Sequence, residues 1–130
     1  MGRQRLLIVE DEAEIVALIE LTARAAGFET RAVRSVAEIG GAIEAFKPTA
    51  LLVDLTIVGG AGVEVMRSLA EVGATVPMVI MSGSGASEHA EDDARRMSLN
   101  PVGRLDKPFR RAELRAAFER LLAAGPRPSV

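Results

Sequence analysis

Five side chains able to do chemistry stand directly behind short apolar runs in this sequence. Glu10 and Asp11 follow "LLIV", Asp54 follows "ALLV", Ser82 follows "MVIM", and Lys107 comes just after "VGRLD". Taken singly, each is what ends a strand or caps a helix, and an ordinary structural role suffices. Taken together they are three hard carboxylates, a hydroxyl and an ammonium. Carboxylate oxygens from two loops suit Mg²⁺ or Mn²⁺, which usually take one or two carboxylates plus waters and substrate phosphate oxygens. Without a cation, three carboxylates in one crevice would repel and raise one another's pKa values. Lys107 stands out for a separate reason: it is one of two lysines among 16 basic residues, the rest being arginine. A compact ammonium aims a single point of charge at an oxygen, which the planar guanidinium fork does differently.

Those side chains meet only if the chain brings the ends of the apolar runs together. Five runs of strand length recur: "RLLIV" at 5–9, "FETRAV" at 28–33, "ALLV" at 50–53, "PMVIM" at 77–81 and "VGRL" at 102–105. The first, third and fourth are continuously apolar, as in strands covered on both faces, whereas "FETRAV" alternates and reads as an edge. Helical patterns lie between them. "EAEIVALIELTARAAG" puts Ile15, Leu18, Ile19 and Thr22 on one face and stops at Gly27. "SVAEIGGAIEAFKP" opens with a capping-box pattern at Ser35 and Glu38 and ends before Pro48. "GVEVMRSLAEVG" and "RAELRAAFERLL" are amphipathic, and "ASEHAEDDARRMSL" is polar enough for an exposed helix. Strand and helix alternating five times predicts an α/β fold, a parallel sheet with right-handed crossovers and helices on both faces. In such sheets ligands bind outside the carboxyl ends of the strands, where the five reactive residues fall.

Composition bounds the rest. A chain of 130 residues fits one domain, expected over 1–123, with the Gly- and Pro-rich residues 124–130 as a tail or the start of a linker. No apolar run approaches the roughly 20 residues of a membrane span, and the N-terminus lacks the pattern of a signal peptide, so a cytoplasmic location is expected. The absence of cysteine removes disulfides and thiolate metal sites. A net charge of −2, no Trp, no Tyr and four Phe leave little to bind nucleic acid directly.

"LLIVEDE", "LLVDL" followed by a glycine at 62, "VIMSG" and "DKPF", in this order and spacing, resemble the receiver domain of two-component response regulators, over nearly the whole chain. The resemblance implies a flavodoxin-like domain of five parallel strands in the order 2-1-3-4-5 and a phosphorylation switch. Asp54 matches the phosphoacceptor, and Asp11 a direct Mg²⁺ ligand. Glu10 matches the other member of the acidic pair, acting on the metal through water. Thr56 matches the position whose backbone carbonyl completes the metal shell, leaving its side chain free. Ser82 matches the hydroxyl that turns toward the phosphoryl group and Lys107 the cation that contacts it. The implied partners are a sensor histidine kinase or phosphotransfer protein, and a second copy through the face of the fourth helix, fifth strand and fifth helix.

The sequence departs from the family pattern in two places. Val58 replaces the usual proline four residues after the phosphoacceptor, and Arg104 stands where a switch aromatic is usual. Arg104 is expected to stay exposed, or to pair with an acid such as Glu88, Glu91 or Asp92. Thr56 and Ser84 match positions that tune phosphate lifetime, and neither is acidic or amide-bearing. His89, the only histidine, lies among acids and reads as a solvated surface residue rather than a relay histidine. Three other functions compete. An aspartyl-phosphate hydrolase of the haloacid dehalogenase type needs a second acid where Thr56 stands. A flavodoxin-like cofactor binder would find an acidic loop facing its phosphate. A receiver-like adaptor that does not switch by phosphorylation is kept open by Val58 and Arg104.

Overall fold

The computed structural model describes residues 3–57, 62–83 and 89–124. They form strands β1 (Gln4–Val9), β2 (Phe28–Val33), β3 (Ala50–Asp54), β4 (Pro77–Ser82) and β5 (Asn100–Asp106). The helices are α1 (Ala13–Ala25), α2 (Ile39–Phe46), α3 (Gly62–Glu71), α4 (Ala90–Arg96) and α5 (Arg111–Ala123). All the strands pair in parallel, in the order β2-β1-β3-β4-β5. The expected α/β fold and strand order are therefore present.

Period-two alternation explains how continuously apolar strands serve two faces. Leu7, Val9, Leu51, Val53, Met78 and Ile80 point to one side, against Ile39 of α2, Val65, Met66 and Leu69 of α3, and Ala90 and Ala94 of α4. Leu6, Ile8, Leu52, Val79, Met81 and Leu105 point to the other, against Ile19 and Ala23 of α1 and Leu114, Ala117, Phe118 and Leu121 of α5. Phe28 and Phe118 meet there at 5.6 Å between ring centroids. The edge strands alternate in burial as their sequences do. α1 buries Val16 and Ala23 beside Ile19 and Thr22, leaving Ile15 and Leu18 half-buried at its margin.

Three local readings need correction. β5 runs from Asn100 to Asp106, longer at both ends than "VGRL", and pairs with β4 through a bulge: Met78 opposes Pro101 and Val79 opposes Gly103. At the start of "SVAEIGGAIEAF" residues Val36–Glu38 form a 3-10 turn, and α2 begins only at Ile39. Ser35 does not cap a backbone N–H; its hydroxyl donates to Glu38 Oε2 (3.0 Å), which also accepts from Arg34 N (3.0 Å). Those bonds, Arg34 N–H first and then the Ser35 hydroxyl, hold the Glu38 pKa below its ordinary value of 4.5. A depressed carboxylate stabilises the turn above its unfolded pKa and ceases to as pH falls through its folded one. Ser35→Ala is expected to move the Glu38 titration midpoint, followed by NMR, upward.

Gly27, at φ +100°, ends α1 as expected. Lys47 ends α2 in a left-handed conformation at φ 51°, before Pro48. Gly62 has a packing reason: a Cβ there would meet Leu55 Cβ at 3.1 Å and Leu55 O at 3.4 Å. Gly62→Ala is expected to cost about 1 kcal/mol in urea unfolding, the low end for overpacking, since the start of α3 must shift off Leu55.

Candidate functional site

Parallel pairing sets the carboxyl ends of β1, β3, β4 and β5 side by side, and backbone bonds continue past the strands. Glu10 N donates to Val33 O (3.0 Å), Leu55 N to Met81 O (3.2 Å) and Lys107 N to Ser82 O (2.7 Å). The peptide bond between Lys107 and Pro108 is cis.

Asp54 ends the fully buried β3 and is itself 1% exposed. Its Oδ1 accepts from Thr56 N (3.0 Å) and Thr56 Oγ1 (2.8 Å), and its Oδ2 lies 3.0 Å from Lys107 Nζ. Glu10, at 0% exposure, turns back on its own chain: Oε2 accepts from Asp11 N (3.1 Å) and Glu12 N (3.2 Å). Its Oε1 lies 2.7 Å from Lys107 Nζ, a buried ion pair. The ammonium thus bridges two buried carboxylates. Ser82, 2% exposed, places Oγ 3.4 Å from Gly83 O at the neighbouring strand end.

The electrostatics follow from that bridge. Burial pushes the Glu10 pKa up, Lys107 pulls it back, and the negative Asp54 adds to the rise. Burial acts to lower the Lys107 pKa, but the attraction of Glu10 and Asp54 outweighs it, and the ammonium is held above its ordinary value. Lys107 is therefore fixed as a cation.

The side-chain oxygens of Glu10, Asp11 and Glu12 lie within 4.8 Å of one another. This set of hard carboxylate oxygens, with no softer donor among them, fits a small divalent cation such as Mg²⁺. Glu12 was not among the expected ligands, although the run "EDE" displays it. Thr56 differs from expectation as well: its hydroxyl is engaged on Asp54, because a threonine two residues on can close a short turn onto the aspartate.

Arg104 keeps apart from this pocket. Its Nε lies 3.2 Å from Asp106 Oδ1 on the same strand, with 38% of the side chain exposed. Two residues along a strand share a face, which puts Asp106 nearer than any acid of α4; Glu91 and Asp92 pair with Arg95 instead. Glu88, like Val58 and Ser84, lies outside the described residues. His89 is exposed just before α4, as expected.

The site is thus an acid pair, a buried aspartate and a bridging lysine set together at the strand ends of a doubly wound α/β domain. Residues 6–119 match the family model of the response regulator receiver domain, and the chain belongs to that family. Among curated proteins it is 28% identical over 112 residues to the DNA-binding response regulator MtrA of Mycobacterium tuberculosis, covering 86% of this chain and 47% of that one. It is 29% identical over 118 residues to the transcriptional regulatory protein PrrA of the same species, covering 91% of this chain and 49% of that one. The chain thus spans about half the length of the curated relatives it matches. Among solved structures, a response regulator of Chloroflexus aurantiacus shares 27% identity at a TM-score of 0.76, covering 94% of this chain and 99% of that one. NtrX of Brucella abortus shares 26% at 0.78, over 95% of this chain and 27% of that one.

Proposed function

We propose that Asp54 accepts, in the cytoplasm, a phosphoryl group from the phosphohistidine of a sensor histidine kinase or phosphotransfer protein. One Asp54 carboxylate oxygen attacks phosphorus in line, the P–N bond breaks, and its electron pair leaves with the imidazole nitrogen of the donor. Lys107 holds positive charge beside the attacking carboxylate, where charge on the transferring group's oxygens would develop. Glu10, Asp11, Asp54 and the backbone carbonyl of Thr56 would hold Mg²⁺ or Mn²⁺, with Glu12 at the rim. When bound, that ion supplies further positive charge against the phosphoryl oxygens. The observation that carries this reading is a 1%-exposed aspartate whose two oxygens are held by Thr56 and Lys107 at the carboxyl edge of a parallel sheet.

An aspartyl phosphate adds about −1.5 to −2 of charge by analogy with other phosphorylated side chains, and three acceptor oxygens. Ser82 and Lys107 are the donors beside Asp54 that would turn to them. Arg104, ion-paired on the surface, takes no part in that step. The shift in population is limited by how much better one conformation holds the phosphoryl group than the other. Incubating the chain with acetyl phosphate and Mg²⁺ is expected to add the mass of one phosphoryl group, and EDTA to prevent it. A protein that stays unmodified in Mg²⁺ overturns the proposal in favour of a non-switching adaptor.

A further inference from the structure

α1 and α5 pack on the same face of the sheet, and a groove of about 340 Å³ opens between them. That is room for a small organic molecule, for which sites run from about 300 Å³ upward. Leu21 and Leu122, both exposed, and the buried Phe118 give it an apolar lining, and Arg111, Arg115 and Glu119 supply its charges. The helix arginines elsewhere are matched within the chain. Arg24 pairs with Glu20 and Arg95 with Glu91, each with the acid four residues earlier, and Arg96 pairs with Asp93. On α5 the residue four before Arg115 is Arg111, and the residue four before Arg111 is Lys107. Two guanidiniums on successive turns therefore face one another's charge, a spacing at which like charges destabilise a helix. Glu119 follows Arg115 in the weaker order, acid after base, and among the described residues neither it nor either arginine makes an ion pair.

We infer that the α1–α5 groove binds a small anionic amphiphile, a carboxylate on a hydrocarbon body, with Arg111 and Arg115 holding the head group and Leu21, Phe118 and Leu122 covering the tail. The charge pattern selects the sign. An anion between the two arginines offsets their mutual repulsion, and a planar guanidinium can donate twice to one carboxylate. Glu119, one turn beyond Arg115, repels an anion placed farther along α5, so the head group is confined to the arginine end. Order along the helix then sets the ligand's direction, because Phe118 and Leu122 follow the arginines toward the C-terminal end. The apolar lining adds affinity by removing tail and leucine surface from water together. None of this uses Asp54, so the inference stands apart from the role proposed for that residue.

The probes are octanoate and 1-octanol, which share a tail and differ in head-group charge, titrated below micelle formation into the 130-residue chain at neutral pH and followed by amide NMR shifts. Octanoate is expected to saturate one site, to move the resonances of α1 and α5, and to bind about tenfold tighter than octanol. The double variant Arg111→Gln with Arg115→Gln is expected to bring the two ligands within about twofold of each other. Leu21→Ser is expected to weaken both ligands about fivefold and to keep the preference for octanoate. All three positions are exposed, and thermal midpoints no lower than wild type for the glutamine variant will show that it folds. Octanol binding as tightly as octanoate, a preference that survives loss of both arginines, or shifts confined to α4 and β5 each overturns the inference. So does octanoate uptake that falls as the protein is concentrated, which would mean that a second copy covers the groove. A chain carried down by phosphatidylglycerol vesicles but unmoved by octanoate overturns it as well, the face then being a membrane contact.

Discussion

Asp54→Asn is expected to abolish phosphoryl uptake from acetyl phosphate, a loss of about 10³-fold or more on the scale of removing a nucleophile, while leaving the fold intact. The stability half follows from the charge count in the pocket. Lys107 faces both Glu10 and Asp54, two buried acids to one ammonium. The amide keeps an oxygen for the two Thr56 donors, which hold Oδ1 at 3.0 and 2.8 Å. It loses the ion pair to Lys107 but removes the negative neighbour that helps raise Glu10. These changes oppose each other, and urea unfolding is expected to place the variant within about 1 kcal/mol of wild type. A second readout moves in a known direction: without the Asp54 charge, the Glu10 titration midpoint drops toward the ordinary carboxylate range. Uptake by Asp54→Asn at the wild-type rate would show that another residue receives the group.

How much of this was legible in the sequence divides by the range of the interaction. "LLIV", "ALLV" and "MVIM" announce strands covered on both faces because alternate side chains must each find an apolar layer, and the two layers are there. The alternation in "FETRAV" likewise placed an edge strand. Strand ends then brought Glu10, Asp54, Ser82 and Lys107 together, since register in a parallel sheet aligns them. Less legible was what each side chain does locally. The Thr56 hydroxyl turns to Asp54, Ser35 donates to Glu38 instead of capping a helix, and Arg104 finds Asp106 two residues away. Each outcome depends on a rotamer choice among several polar partners, and periodicity carries no information about rotamers. The bulge in β5 is a similar case: Asn100 and Pro101 do not look like strand, yet pairing with β4 includes them.

Lys107→Met should separate charge compensation from packing. The methionine keeps the length of the side chain and deletes the ammonium, leaving Glu10 and Asp54, 0% and 1% exposed, without their shared cation. Removing one partner of a buried ion pair costs about 3–5 kcal/mol. Lys107 itself is 15% exposed, so water partly screens the loss and the lower end, about 3 kcal/mol, is expected from urea unfolding in EDTA at neutral pH. The pH dependence has a definite sign. Glu10 is already raised above 4.5, and loss of Lys107 removes a group that lowers it, so its folded pKa rises further. A carboxylate raised in the folded state destabilises above its unfolded pKa and ceases to as pH falls below it. The deficit of Lys107→Met against wild type is therefore expected to be full near pH 7 and to shrink as the solution is acidified toward the ordinary carboxylate range. Mg²⁺ at neutral pH should shrink it as well, because a cation bound at the acids restores positive charge to the same pocket. A deficit that neither acid nor Mg²⁺ reduces would mean that the lysine stem, and not its charge, holds the site together.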